Sequence, residues 1–299
     1  MMSNLNAEII SEENKVMKKF TISKSNWKFI LISIPIVLFV LIAIFGPWII
    51  DYNPTKTFTQ DRLLPPGSTI RDGSQIAWLG TDQVGRDVLL QIIYGTRISI
   101  IVSLATVVIG VLIGVLLGLI SGYYGGVVDS VIMRIADVQL AFPAILLAIL
   151  IAGVLGPSVM NVIITLAITR WVTFARVVRG ATLETKKKDF VDSARVIGAP
   201  NIRVLAKYVF PMCLSPLLVV VTVQLGLVII SEASLSFLGL GTPQENASWG
   251  LLISLGRDYI SSAWWIAVMP GIALAILVIC VGFLGDMLRD KYDPHMNDF

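Results

Sequence analysis

Charge is scarce in this chain: only 14% of its 299 residues are Asp, Glu, Lys or Arg, against about a quarter in ordinary soluble proteins. So little charge cannot cover a water-facing surface, and the apolar excess has to meet lipid. Histidine is almost missing, with His295 in the tail as the single copy. That excludes a metal-binding His pair, and no Gly-x-Ser-x-Gly turn is present to carry a hydrolase serine. No Gly-Lys dipeptide occurs, so the chain has no P-loop with which to hydrolyse ATP. The two cysteines, Cys213 and Cys280, each sit in an apolar stretch. They form neither a disulfide framework nor a thiolate metal site and read as apolar fillers. The net charge of +3 is small and by itself says little about nucleic acid; with the basic residues not spread as a phosphate-tracking surface, no nucleic-acid partner is expected.

What is abundant is apolar sequence, 56% of the chain, gathered into runs near the roughly 20 residues that cross a bilayer. Six spans are expected, at 29–50, 98–121, 131–155, 159–179, 212–238 and 264–285. All should be helical, because lipid cannot satisfy an open sheet edge. The expected fold class is therefore all-α, a polytopic membrane protein. The polar tail 1–28 carries Lys15, Lys18, Lys19, Lys24 and Lys28. The apolar run after it is too long for a cleavable signal and ends in Trp48-Ile49-Ile50, so it reads as an uncleaved first span. Lys186, Lys187, Lys188, Arg195, Arg203 and Lys207 crowd the loop after the fourth span. By the positive-inside rule that loop and both termini are cytoplasmic. Residues 51–96 are then extracytoplasmic, and Pro54, Pro65-Pro66-Gly67 and Asp72-Gly73 suggest a loop with little regular structure. Residues 97–286 form the membrane body and 287–299 a cytoplasmic tail.

Inside the second span Gly110, Gly114, Gly118 and Gly122 recur every four residues, a helix-packing ridge. Arg134 and Asp137, three apart, can pair on one face of the third span, reducing the cost of charge at membrane depth. Arg170 and Glu232 are further charges near or within spans, readable as solute ligands or as interhelical pairs. No repeated halves accompany these charges, which argues against an ion-coupled secondary transporter. The cytoplasmic segment 184–211 reads as two short amphipathic helices. Phe190, Ala194 and Ile197 form one apolar face, Gly198 ends that helix in a left-handed conformation, and Pro200 opens a second. Ile202, Leu205, Ala206 and Val209 give the second helix its apolar face. Such a pair could seat in a partner's groove or lie on anionic lipid.

The run Asp192-Ser193-Ala194, three residues, Gly198 and a closing Pro211 resembles the coupling loop of permease subunits of ATP-binding-cassette importers. Here Asp192 stands for the usual Glu, Ser193 for the first Ala, Tyr208 for Ile and Phe210 for Leu. Leu79-Gly80-Thr81-Asp82, Gly85-Arg86-Asp87, Gly122-Tyr123, Gly125-Gly126, Asp129, Met133-Arg134, Asp137 and Ala141-Phe142-Pro143 extend the likeness. So do Leu235-Ser236-Phe237-Leu238-Gly239-Leu240-Gly241, Trp249-Gly250, Gly285-Asp286-Met287-Leu288-Arg289-Asp290 and Asp293-Pro294. Together they resemble the C-type permease of the dipeptide, oligopeptide and nickel branch. The resemblance implies a type I importer transmembrane domain that does no covalent chemistry and binds no cofactor, ATP and Mg being used by partners. Those partners are a sister permease, two ATPase subunits and an extracytoplasmic solute-binding protein, in a bacterial cytoplasmic membrane. The implied cargo is a dipeptide or oligopeptide, with nickel or a metal chelate as the alternative.

Overall fold

The computed structural model describes residues 24–50, 52–246 and 248–292. Lys15, Lys18 and Lys19, and with them His295 and the Asp293-Pro294 pair, lie outside the described residues. The protein is mostly helical, as its apolar runs require. Helix α1 (Lys24–Ile49) is apolar on all sides and packs through one narrow strip, where Ala43 and Gly46 are buried while Leu31, Ile34, Leu38, Leu41 and Phe45 stay exposed.

The segment between α1 and the next helix is not the loose loop its turn residues suggest. It folds into a small cap with an antiparallel hairpin, β1 (Ser68–Ile70) on β2 (Gln75–Ala77), Thr69 opposite Ile76. One buried carboxylate organises the rest: Asp82 Oδ1 accepts from the backbone N–H of Val84 and Arg86 at 2.9 and 2.8 Å. Its Oδ2 accepts from Arg86 Nε at 2.7 Å and Gln91 Nε2 at 3.0 Å. Thr81 Oγ1 bridges Asp61 O and Leu64 N, and Trp265 Nε1 donates to Thr81 O at 3.0 Å, tying the cap to the body. Gly80 and Gly85 both have positive φ, and a Cβ on Gly85 would stand 1.8 Å from Phe58 O, so only glycine fits.

Asp87 caps helix α2 (Val88–Tyr124), accepting from Leu89 N at 2.8 Å and Leu90 N at 3.4 Å. Burial pushes the Asp87 carboxyl upward, opposed by those two bonds. The cap moves the helix start ten residues ahead of the expected 98. With 37 residues the helix is about 55 Å long, well beyond a hydrocarbon core of roughly 30 Å.

The single span expected at 131–155 is instead two helices, α3 (Gly126–Leu140) and α4 (Ala144–Leu155), bent by 89°. Pro143 at the junction lacks an N–H and pushes Phe142 out of helical geometry. Helix α5 (Val159–Thr185) follows and packs along α2. Then come α6 (Asp189–Val196), the one-turn α7 (Asn201–Val204), a π turn at Leu205–Val209 and α8 (Phe210–Phe237). The second arm of segment 184–211 is thus no separate helix, because Asn201–Phe237 runs on as one 37-residue rod. The π turn falls where Pro211 withholds a hydrogen bond, and Phe210 N reaches back five residues to Leu205 O. Helices α9 (Trp249–Gly256) and α10 (Trp265–Tyr292) complete the body.

Among the described residues four helices are long and apolar enough to cross a membrane, or five if the bent α3–α4 pair is one span. The apolar stretch of α1, Leu31–Gly46, is shorter. The core lies between α2, α5 and α8, where Val102, Leu166, Phe174, Val178 and Val228 are buried.

Candidate functional site

The α2–α5 contact rests on the glycine ridge. A Cβ on Gly114 would lie 2.5 Å from Phe174 Cβ and 2.8 Å from Trp171 O, and one on Gly118 2.6 Å from Ala175 O. On Gly122 it would meet Thr182 Cβ at 2.7 Å, whereas on Gly110 the nearest atom is a Phe174 ring carbon at 3.2 Å. Lacking side chains, α2 lies against the backbone of α5.

This packed pair holds the segment 184–211. Lys186 Nζ donates to Gly122 O at 2.6 Å and Tyr123 O at 3.4 Å, a cation placed on the last carbonyls of α2. Tyr123 Oη donates to Asn201 Oδ1 at 2.9 Å, and the Arg195 guanidinium lies 5.2 Å above the Tyr123 ring while pairing with Asp192 at 3.0 Å. Arg179 Nε and Nη2 reach Asp129 at 2.5 and 2.6 Å, and Ser121 Oγ donates to the same carboxylate. The corner 122–126 is therefore fastened to both arms of the segment. The contacts of Lys186 and Asn201 were missed in the sequence, where Lys186 registers only as positive charge and Asn201 carries no signal.

Between the arms Gly198 has φ +88°. Its N–H donates to Arg195 O at 2.9 Å and that of Ala199 to Ala194 O at 3.0 Å. These two bonds make a Schellman motif, which needs the left-handed residue. The expected apolar face Phe190, Ala194, Ile197 divides. Ala194 turns inward at 6% exposure with Val191 and Val204, whereas Val196 at 87%, Ile197 at 86% and Ile202 at 77% stand clear of the chain. Only two turns long, α6 ends at Val196, so Ile197 lies past the face that Phe190 and Ala194 share. Asp192 and Ser193 are exposed, Ser193 Oγ donating to Asp189 O at 2.8 Å, and Pro211 is exposed near the start of α8.

The pairing expected between Arg134 and Asp137 does not form. Asp137 Oδ1 instead lies 2.5 Å from Arg176 Nη2 on α5, both about half exposed, and Arg134 is exposed. A partner 39 residues away outcompetes the local one because α3 packs beside α5. Arg170 and Glu232 do not meet. Arg170 Nη2 donates to Ser231 Oγ at 2.6 Å and Nη1 to Gln224 Oε1 at 3.4 Å, while Nε has no partner. Glu232 is fully buried, accepting from Ser236 Oγ at 2.7 Å through Oε1, with Oε2 unpartnered. Among the described residues no cluster of His, Cys, Asp and Glu could hold a metal ion.

Comparison with known proteins adds the following. Residues 114–298 match the family model described as binding-protein-dependent transport system inner membrane component. Residues 24–66 match the N-terminal TM domain of oligopeptide transport permease C. The chain is 41% identical over 266 residues to a dipeptide transport system permease protein of Escherichia coli strain K12, covering 89% of this chain and 88% of that protein. It is 37% identical over 261 residues to a di/tripeptide transport system permease protein of Pseudomonas aeruginosa strain UCBPP-PA14, covering 87% and 86%. In fold it is similar to a chain of the MetNI methionine ABC transporter in an inward-facing conformation, with TM-score 0.55 and 19% identity over 69% of this chain and 97% of that one.

Proposed function

This chain belongs to the binding-protein-dependent transport system inner membrane components, and from that premise we infer that it is one of two membrane-spanning subunits of an ATP-driven importer of dipeptides or oligopeptides. The observation that carries the peptide reading is the identity, along nearly the whole chain, to permeases of dipeptide and di/tripeptide systems. In this reading a sister permease stands beside it, two ATPase subunits dock below, and a solute-binding protein delivers peptide from outside. Both termini face the cytoplasm of a bacterial cell. ATP and Mg belong to the ATPase subunits, and this chain binds no cofactor of its own.

The segment 184–211 is the coupling element, with Asp192, Ser193, Ala194, Gly198 and Pro211 in it. Val196, Ile197 and Ile202 supply the apolar knob for an ATPase groove. Ala194 acts from inside, packing the arm against its own chain. The Schellman turn at Gly198, the Tyr123–Asn201 bond and Lys186 make the knob one body with the ends of α2, α5 and α8, so movement of the ATPases passes to the membrane helices as rigid-body motion.

The test is uptake by proteoliposomes that hold both permeases and both ATPases, with binding protein outside and ATP inside. Labelled dipeptide should accumulate only when ATP and binding protein are both present. Accumulation of Ni²⁺ without any peptide would overturn the assignment.

A further inference from the structure

From Val159 to Arg170 helix α5 climbs roughly 16 Å, about half the depth of a hydrocarbon core of roughly 30 Å. A guanidinium at that depth cannot face lipid without heavy cost, and such residues face a packed interior or a water-filled path. In this chain the group is only partly covered. Its contacts are neutral: the Ser231 hydroxyl and the Gln224 amide oxygen, on residues each 8% exposed along one face of α8. Among the described residues no carboxylate lies within ion-pair distance of Arg170, and its Nε has no hydrogen-bond partner. Two other half-buried arginines have their acids, Arg86 with Asp82 and Arg179 with Asp129, whereas Arg71, in the cap and away from the helix body, rests on Gln75 and the Phe58 ring. Arg170 is held in place by two neutral groups and keeps its charge unanswered.

We propose that Arg170 is a solute-binding residue of the translocation path, which takes the C-terminal carboxylate of the peptide in transit. Resting on the peptide reading, the proposal says which end of the solute the chain grips. The chemistry fits: a guanidinium fork matches a carboxylate in two parallel hydrogen bonds, and every unmodified peptide carries one such group whatever its side chains. Ser231 and Gln224 fix the orientation of the fork, and neither is charged, so neither competes with the solute for it.

The experiment uses the complete membrane complex in nanodiscs, without the binding protein, and measures binding of labelled trialanine and of its C-terminal amide. The wild type should favour the free acid by roughly tenfold to a hundredfold, the range of a charge-assisted hydrogen bond. Arg170→Gln should bind both alike, and Arg170→Lys should keep part of the preference, since it keeps the charge and loses the fork. Equal binding of the two peptides by the wild type overturns the proposal, as does a preference that survives in Arg170→Gln. An Arg170→Gln chain that no longer copurifies with the sister subunit, together with an Arg170→Lys complex that assembles and shows no preference, assigns the residue to subunit pairing and overturns the proposal as well. A wild-type complex that accumulates peptide in proteoliposomes yet does not prefer the free acid defeats this inference alone. One that accumulates no peptide defeats the reading beneath it and this inference together.

Discussion

Replacing single glycines by alanine should separate those that hold α2 against α5 from those that merely lie in a helix. Alanine is the better helix former by about 1 kcal/mol, so a glycine with open space around it should gain stability on replacement. Gly153 on α4 is such a position, with nothing within 4 Å of the added carbon. Gly114 is the opposite case: the methyl would stand 2.5 Å from Phe174 Cβ, 2.8 Å from Trp171 O and 2.9 Å from Ala175 N. Two of these are backbone atoms, which cannot turn aside, and overpacking of this kind costs about 1–3 kcal/mol. After the propensity gain Gly114→Ala should lose up to about 2 kcal/mol. Gly110→Ala meets a phenyl edge at 3.2 Å and should fall between them, near zero. The assay is unfolding of the purified chain in detergent, followed by helical circular dichroism. A Gly114→Ala protein as stable as Gly153→Ala would refute the claim that backbone contact governs this interface.

Ile197→Glu should leave insertion and stability unchanged, because the side chain is 86% exposed in this chain, yet reduce copurification of the ATPase subunits by about tenfold or more. Normal recovery of those subunits would remove Val196, Ile197 and Ile202 from the docking role. Asp82→Ala leaves the nearly buried Arg86 unpaired, at a cost of about 3–5 kcal/mol. The cap should loosen, and tryptic cleavage at Arg71 or Arg86 should become rapid; resistance equal to wild type would show that Asp82 does not organise it. Reporters fused after Lys188 should be cytoplasmic and those near Gly73 or Glu245 outside, a cytoplasmic signal at Gly73 being fatal to the topology.

The features legible in the sequence are those that depend on one helix and its own period. Apolar runs near bilayer length marked where helices lie, the spacing of Gly110, Gly114, Gly118 and Gly122 marked a face, and Gly198 marked a helix end. What escaped depends on groups brought together from afar. Hydropathy runs unbroken through Ala141-Phe142-Pro143, so the 89° bend leaves no trace in it, although the proline itself was a signal. Asp137 looked local until α5 supplied Arg176. The cap was read through its turn residues, whereas its order comes from one buried carboxylate gathering Arg86 and Gln91. Ala194 and Ile197 share a spacing but not a face, because the helix ends between them.

The continuous rod from Asn201 to Phe237 has a mechanical corollary. Ile202, at the exposed knob, and Ser231, which steadies Arg170, ride on the same helix about 43 Å apart. Any tilt imposed at one end is expressed at the other, with the lever arm magnifying small angles. A tilt of about 5° shifts one end relative to the other by roughly 4 Å, more than the entire length of the hydrogen bond between Ser231 and Arg170. The grip on a passing solute and the stroke of the ATPases would then be read off a single beam, with no relay of side chains needed between them.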